Sequence, residues 1–141
     1  MQDLLSISPY MHLMTEFLKN GAEEDGYFPL THFKLPESSG NIYSLISLNG
    51  VPIGFGMIRG WDEKWDDKCL GVFISKEMRG LGFGEALCKE LIRAGKNRGL
   101  DKLRIHVSPE NTRALNLYNK LGFVVEGTSA NDERICYLYY S

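Results

Sequence analysis

The sequence lacks the features that tie a chain to membranes, nucleic acids or metals. No apolar run approaches the ~18 residues needed to span a bilayer. The opening stretch MQDLLSISPYMHLM has no basic leader and no small-residue cleavage site, so no secretory signal is expected, and a cytoplasmic setting is. Lysine and arginine total 16 against 18 aspartates and glutamates, for a net charge of −2. That balance lacks the basic face of a dedicated nucleic-acid binder and the basic helix of a membrane-surface protein. There are only three cysteines, Cys69, Cys88 and Cys136, and no C-x-x-C pair, which argues against zinc and against a disulfide framework. Each sits among apolar neighbours and is expected to be a buried, reduced thiol. Internal repeats and low-complexity tracts are also missing.

The 141 residues suit one domain, 1–141, and a chain of this length can bury roughly 68–70% of its unfolded surface. In the first third, Ser8 and Pro9 are placed to cap and start a helix carrying Met11, Met14, Phe17 and Leu18 on one face. A short helix or loop follows from Glu23 to Phe33, then a linker from Pro36 to Gly40. From Ile42 the hydrophobic period changes. Ile42–Leu48 and Val51–Arg59 read as strands joined by Asn49-Gly50, a strong hairpin signal because both turn residues tolerate positive φ. Gly60–Lys68 is an acidic loop, and Cys69–Ser75 is apolar enough for a central strand. A helix is expected from Gly82 to Gly99, a strand over Lys102–Val107, a helix over Asn111–Leu121, and two antiparallel strands over Phe123–Glu126 and Ile135–Tyr140. Strand–helix–strand–helix–strand order implies an α/β sheet covered by helices.

The most informative segment is Val72–Glu85, VFISKEMRGLGFGE. A strand ends, a turn carries Gly80, Gly82 and Gly84, and a helix starts. Glycines admit close ligand approach, and the first turn of a helix offers unpaired N–H groups and a partial positive charge. Together these make a site for phosphate or diphosphate, with Arg79 adding a cation. A dinucleotide fingerprint would need glycine where Glu85 stands, and no P-loop lysine followed by Ser or Thr is present. The alternative is a tight turn with no ligand.

Arg79-Gly80-Leu81-Gly82-Phe83-Gly84 resembles the R/Q-x-x-G-x-G/A signature of the GCN5-related N-acetyltransferases (GNAT). Downstream, Leu103–Phe123, LRIHVSPENTRALNLYNKLGF, is similar to that family's L-x-L-x-V-x-x-x-N-x-x-A-x-x-L-Y-x-x-x-G-F block. The likeness covers residues 42 to 127, with both motifs in order around one amphipathic helix. It implies a single-domain GNAT fold: a mixed central sheet of six to seven strands, flanked by helices on both faces. Few residues precede the first expected helix, so the family's N-terminal strand is expected to be missing, very short or supplied otherwise.

The resemblance also implies roles. Main-chain N–H groups of Arg79, Gly80, Leu81, Gly82, Phe83, Gly84 and Glu85 would hold the coenzyme A diphosphate. Val72, Phe73 and Ile74 would pair with the pantetheine arm and aim an N–H at the thioester oxygen, where a preset donor stabilises developing charge. Asn111 would bond the same arm; a plain helix N-cap is the alternative. Tyr118 would protonate the leaving thiolate, a phenol of reference pKa ~10 facing a thiol of ~8.5; the alternative is a residue of the helix's apolar face. His106 stands where some family members carry a glutamate that deprotonates the amine through water. Histidine titrates near neutrality and can do the same work, or be a satisfied structural residue. Leu103, Ile105 and Val107 point to one face of that strand, and Arg104, His106 and Ser108 to the other.

The implied reaction is direct ternary-complex transfer of acetyl from acetyl-CoA, without metal, to the primary amine of a small molecule: an amino sugar, a polyamine or an amino acid derivative. A protein N-terminus or lysine is the alternative acceptor, and a non-catalytic acyl-CoA-binding module the alternative function. Trp61 and Trp65 are candidates to line an acceptor pocket or to pack at an edge, and the acidic segments 23–25 and 62–67 could draw a cationic amine. His12 and His32 have no evident partner. A homodimer is the expected oligomer, if any.

Overall fold

The computed structural model describes residues 2–3, 40–48 and 51–141. The helix expected from Ser8, the segment 23–33, His12, His32 and the turn 49–50 lie outside them. Among the described residues seven strands form one sheet in the order β1-β2-β3-β4-β5-β7-β6. They are β1 (Gln2–Asp3), β2 (Ile42–Leu48), β3 (Val51–Arg59), β4 (Cys69–Ile74), β5 (Lys102–Val107), β6 (Val124–Thr128) and β7 (Arg134–Tyr139). Among the described residues the helices are α1 (Phe83–Asn97) and α2 (Thr112–Lys120), and a 3-10 turn spans Lys76–Met78. An N-terminal strand is therefore present, two residues long, pairing antiparallel with β2.

β2 and β3 pair antiparallel with Leu48 opposite Val51, so residues 49 and 50 alone connect them, as the hairpin signal requires. β3 pairs antiparallel with β4 over six positions. β4 and β5 are the parallel pair, connected through α1 as a strand–helix–strand unit must be. β7 inserts between β5 and β6 and is antiparallel to both.

On one face, α1 and α2 cover a core built from Ile42, Ile46, Ile58, Leu70, Leu87, Leu91, Leu103, Ile105 and Val107. The period-2 alternation of β5 is respected: Leu103, Ile105 and Val107 are buried, and His106 is exposed. Gly56 lets α1 approach the sheet, since a methyl there would sit 2.5 Å from Leu91 Cδ1. Tyr43, Leu45, Phe55, Met57 and Phe73 are buried as well. In β2, β3 and β4 they alternate with the core residues, which puts them on the opposite face.

Candidate functional site

The site grows from a defect in pairing. Only Cys69 is in register with Arg104 across β4 and β5, held by the Arg104 N–H donating to the Lys68 carbonyl at 3.0 Å. Beyond that point the two strands diverge towards their C-terminal ends. The Ser75 N–H donates to the Ile53 carbonyl at 2.9 Å, so Ser75 belongs to the residues that bond β3. Peptide groups alternate along a strand, and those of Leu70, Val72 and Ile74 therefore face away from β3 into the gap. Phe73 turns its peptide group to β3 and its side chain to the face opposite α1.

A cavity of about 1080 Å³ occupies this gap. Val72, Phe73 and Ile74 line one wall; Ile105, His106, Val107 and Ser108 line the other. Gly80, Gly82, Gly84 and Glu85 close one end, and Asn111, Leu117 and Tyr118 of α2 overhang it. Residues from both faces of the sheet reach the same space, because strands that part leave a slot through the sheet.

Gly80 and Gly82 have φ of +78° and +91°, in the left-handed region that favours glycine. Gly82 is the N-cap of α1 and offers no side-chain cap. The helical ladder begins with the Ala86 N–H donating to the Gly82 carbonyl, so the amides of Phe83, Gly84 and Glu85 precede it and point out of the helix end. A methyl on Gly82 would meet nothing within 4 Å, and one on Gly84 would make only ordinary contact with Ile74 and Leu117. The turn is an open cradle of donors, and no side chain blocks it.

Charges around the cradle are managed. The Arg79 Nε donates to the Ile74 carbonyl at 2.9 Å and its guanidinium lies over the Phe73 ring, tying the turn to the end of β4. Glu85 is paired with Lys120 at 2.9 Å and Lys89 at 3.0 Å, and those hydrogen bonds hold its carboxyl below the usual range. The two ammonium groups offset a negative charge that would otherwise oppose an anion. Arg113 projects from the first turn of α2, its Nη1 3.5 Å from where a Gly80 Cβ would lie.

Tyr118 is 7% exposed and packs edge-to-face on Phe123. Its hydroxyl hydrogen-bonds Cys88, whose thiol burial pushes up to about 12. Asn111 caps α2, its Oδ1 accepting from the Ala114 N–H at 3.2 Å. The cap interpretation thus holds. His106 lies on the strand face opposite Leu103, Ile105 and Val107, and its Nδ1 is 3.5 Å from Glu133 Oε1.

Of the residues singled out from the sequence, Val72, Phe73, Ile74, Arg79, Gly80, Gly82, Gly84, Glu85, His106, Asn111 and Tyr118 line one cavity. Leu81 and Phe83 do not; Leu81 is 65% exposed, and both belong to the turn through their main chain. Trp61 and Trp65 lie elsewhere. Arg98 and Lys68 cover Trp61, and Arg59 covers Trp65. The acidic loop is engaged structurally: Asp62 accepts from Asn41 and Asp67 from Tyr137. The sequence reading does not reach Arg113 or Glu133. Arg113 lies inside the second motif, whereas Glu133 carries no local signal. All three cysteines are free thiols; Cys88 and Cys136 are buried as expected, whereas Cys69 is half-buried. Among the described residues no group of His, Cys, Asp or Glu could hold a metal, and no helix is long and apolar enough to cross a membrane.

Known proteins are similar to this chain in sequence and fold. A peptidyl-lysine N-acetyltransferase of Salmonella typhimurium is 29% identical over 99 residues, covering 70% of this chain and 59% of that protein. A mycothiol acetyltransferase of Paenarthrobacter aurescens is 40% identical over 83 residues, covering 56% of this chain and 26% of that protein. The chain thus spans less than two thirds of either relative. Its fold matches the PaiA N-acetyltransferase of Thermoplasma acidophilum, solved with coenzyme A, at a TM-score of 0.63 and 22% identity, covering 71% of this chain and 61% of that one. The family model described as "Acetyltransferase (GNAT) family" matches residues 8–123, across the parted strands, the glycine cradle and the α2 overhang, and the chain belongs to that family.

Proposed function

We propose that the protein is an N-acetyltransferase that moves acetyl from acetyl-CoA to the primary amine of a small molecule by direct transfer in a ternary complex. The observation that carries this reading is the gap between β4 and β5. It joins an anion cradle, a row of outward peptide groups, a buried phenol and an imidazole in one cavity. The cradle suits the diphosphate of coenzyme A, since glycine conformations and leading helix amides are what an anion at a helix N-terminus uses. Family membership and the coenzyme A complex of the PaiA structure support the same cosubstrate.

The residues divide the work. Amides of the turn from Gly80 to Glu85 bind the diphosphate, and Arg113 supplies a further cation beside Gly80. Val72 and Ile74 offer peptide groups to an extended pantetheine arm, and one of these N–H groups stabilises charge developing on the thioester oxygen. His106 accepts the proton that the amine must lose, since an alkyl ammonium of pKa ~10 is not a nucleophile. Tyr118 gives its hydroxyl proton to the departing sulfur. Cys88 is fully buried and its thiol is pushed up to about 12, which keeps it neutral beside Tyr118 and makes a covalent acetyl-cysteine route unfavourable.

Amino sugars, polyamines and amino acid derivatives are the acceptor classes proposed. The curated relatives span a peptidyl-lysine enzyme and a mycothiol enzyme, so a protein lysine is the competing acceptor. Calorimetry with acetyl-CoA, followed by thiol-release assays against glucosamine, spermidine, lysine and a lysine peptide, tests the proposal. Binding with turnover of a small amine supports it; preference for the peptide overturns the acceptor class. Binding without turnover of any amine leaves an acyl-CoA-binding module, and no binding overturns the whole reading.

A further inference from the structure

Glu133 has no place in either sequence motif, yet it lines the same cavity as His106 and stands 3.5 Å from the imidazole Nδ1. The contact is made by strand order. β7 is antiparallel to β5, with Val107 opposite Arg134 and His106 opposite Ile135, so the residue that leads into β7 arrives beside the end of β5. The turn that delivers Glu133 is tightly bonded. The Ser129 N–H donates to the Glu133 carbonyl at 2.8 Å, and the Ser129 Oγ accepts from the Glu133 N–H at 3.1 Å. The Asp132 N–H donates to the Ser129 carbonyl at 3.0 Å, and Asp132 itself has a φ of +62°.

We infer that Glu133 is a positioning residue, which holds His106 as the Nδ1–H tautomer so that Nε2 is the proton acceptor for the amine. The inference rests on His106 being the base in the reading above. A neutral imidazole carries one N–H and one lone pair, and the partner of the first nitrogen decides which is which. A carboxylate accepts only, so the nitrogen facing it carries the hydrogen. In the step, the acetyl carbon–sulfur bond breaks as the carbon–nitrogen bond forms. His106 Nε2 first takes a proton from the substrate ammonium and passes it to solvent, which frees the nitrogen lone pair for attack. As the carbon–nitrogen bond forms, Nε2 takes the second proton from that nitrogen, and the sulfur leaves with the Tyr118 proton. The imidazolium then faces the Glu133 carboxylate, and solvent carries the proton from His106 back to Tyr118. The side chains of His106 and Glu133 are 35% and 39% exposed, so the pair contributes little as a surface ion pair; its use is orientation.

The test combines kinetics with nitrogen-15 NMR of the imidazoles, the His106 signal being assigned by its loss in His106→Gln. Glu133→Ala should lower kcat about tenfold for the best amine of the panel, a share of what a positioned base supplies. The KM for acetyl-CoA should not change. The same variant should move His106 from the Nδ1–H form towards the Nε2–H form. Glu133→Gln keeps an acceptor oxygen and should retain the tautomer and part of the rate. Ser129→Ala, which loosens the turn, should fall between wild type and Glu133→Ala. Wild-type kcat in Glu133→Ala, or an unchanged tautomer, overturns the role of Glu133 alone. A wild-type protein that binds acetyl-CoA but acetylates no amine overturns the transferase reading instead, and this inference with it.

Discussion

The two ends of the seam between β4 and β5 are built on opposite plans. At the N-terminal end of β4 the strands are clasped. Cys69 is in register with Arg104, Asp67 accepts from the Tyr137 hydroxyl at 2.8 Å, and Asp67 pairs with Lys102 at 3.1 Å. Lys102 and Arg104 both lie over the Tyr137 ring. At the C-terminal end the strands carry no mutual register, and a cavity takes the place of a ladder. A central parallel pair normally satisfies its backbone with its neighbour, so leaving half of it open costs stability unless another group bonds those amides. The clasp keeps the sheet continuous while the open end is left for a ligand. Stability is concentrated at one end of the seam, and the proposed binding site lies at the other.

The sharpest way to break the comparison is to spoil the open end alone. Gly84→Glu puts a carboxylate into the cradle where a Cβ makes only ordinary contacts. Glutamate is the better helix former, so the thermal midpoint should hold or rise while acetyl-CoA affinity falls about 100-fold, a loss of order 3 kcal/mol from a like charge at a helix N-terminus. Calorimetry and a melting curve on one sample decide it. Equal loss of stability and binding would show that the two ends are not separable.

Tyr118→Phe removes one buried hydroxyl that bonds Cys88 and leaves the ring on Phe123. It should lower kcat by ~10- to 100-fold with little change in cofactor binding, which locates Tyr118 in the chemical step. Unchanged turnover would remove the acid role and leave a core residue.

The stability supplied by the clasp should depend on pH through Asp67. Burial raises the Asp67 carboxyl, but hydrogen bonds from Tyr137 and Lys102 outweigh it and hold the group below its ordinary value of 3.8. A depressed carboxylate stabilises the fold fully above that ordinary value and loses the contribution as pH falls through the folded value. Asp67→Asn should therefore cost about 1 kcal/mol at pH 7, a fall of roughly 2–5 °C in melting temperature. The gap between variant and wild type should close as the pH is taken below 3.8, with acetyl-CoA affinity at pH 7 unaltered.

The smallest effect concerns the thiols. Cys88 and Cys136 are buried, while Cys69 at the clasp is half-buried, and burial raises all three. Native alkylation should label Cys69 first and slowly, and acetyl-CoA should not protect it, because it lies at the closed end. Mass spectrometry of the labelled peptides checks this.

Legibility followed the range of the forces involved. The strands and helices from Ile42 onward are where periodicity places them, because alternation and amphipathic spacing act within a few residues. The Gly80–Gly84 turn is legible for the same reason: positive φ and leading helix amides are local properties. Asn111 as a cap could be read from its place before Thr112. The tryptophans could not be placed, since an aromatic ring in an acidic loop packs or binds according to what lies across from it. Here Arg98, Lys68 and Arg59 lie across from them.

By itself the sequence determined strands β2 to β7 and the two described helices, the glycine turn that leads into α1, and the family to which these belong. Each follows from neighbours along the chain. Only the tertiary structure decided that β4 and β5 part, that Val72 and Ile74 turn their peptide groups into the gap, and that Glu133 stands beside His106. Those depend on strand order and register, which are set by long-range pairing and core packing, and no stretch of local sequence encodes a neighbour that the chain reaches only by folding.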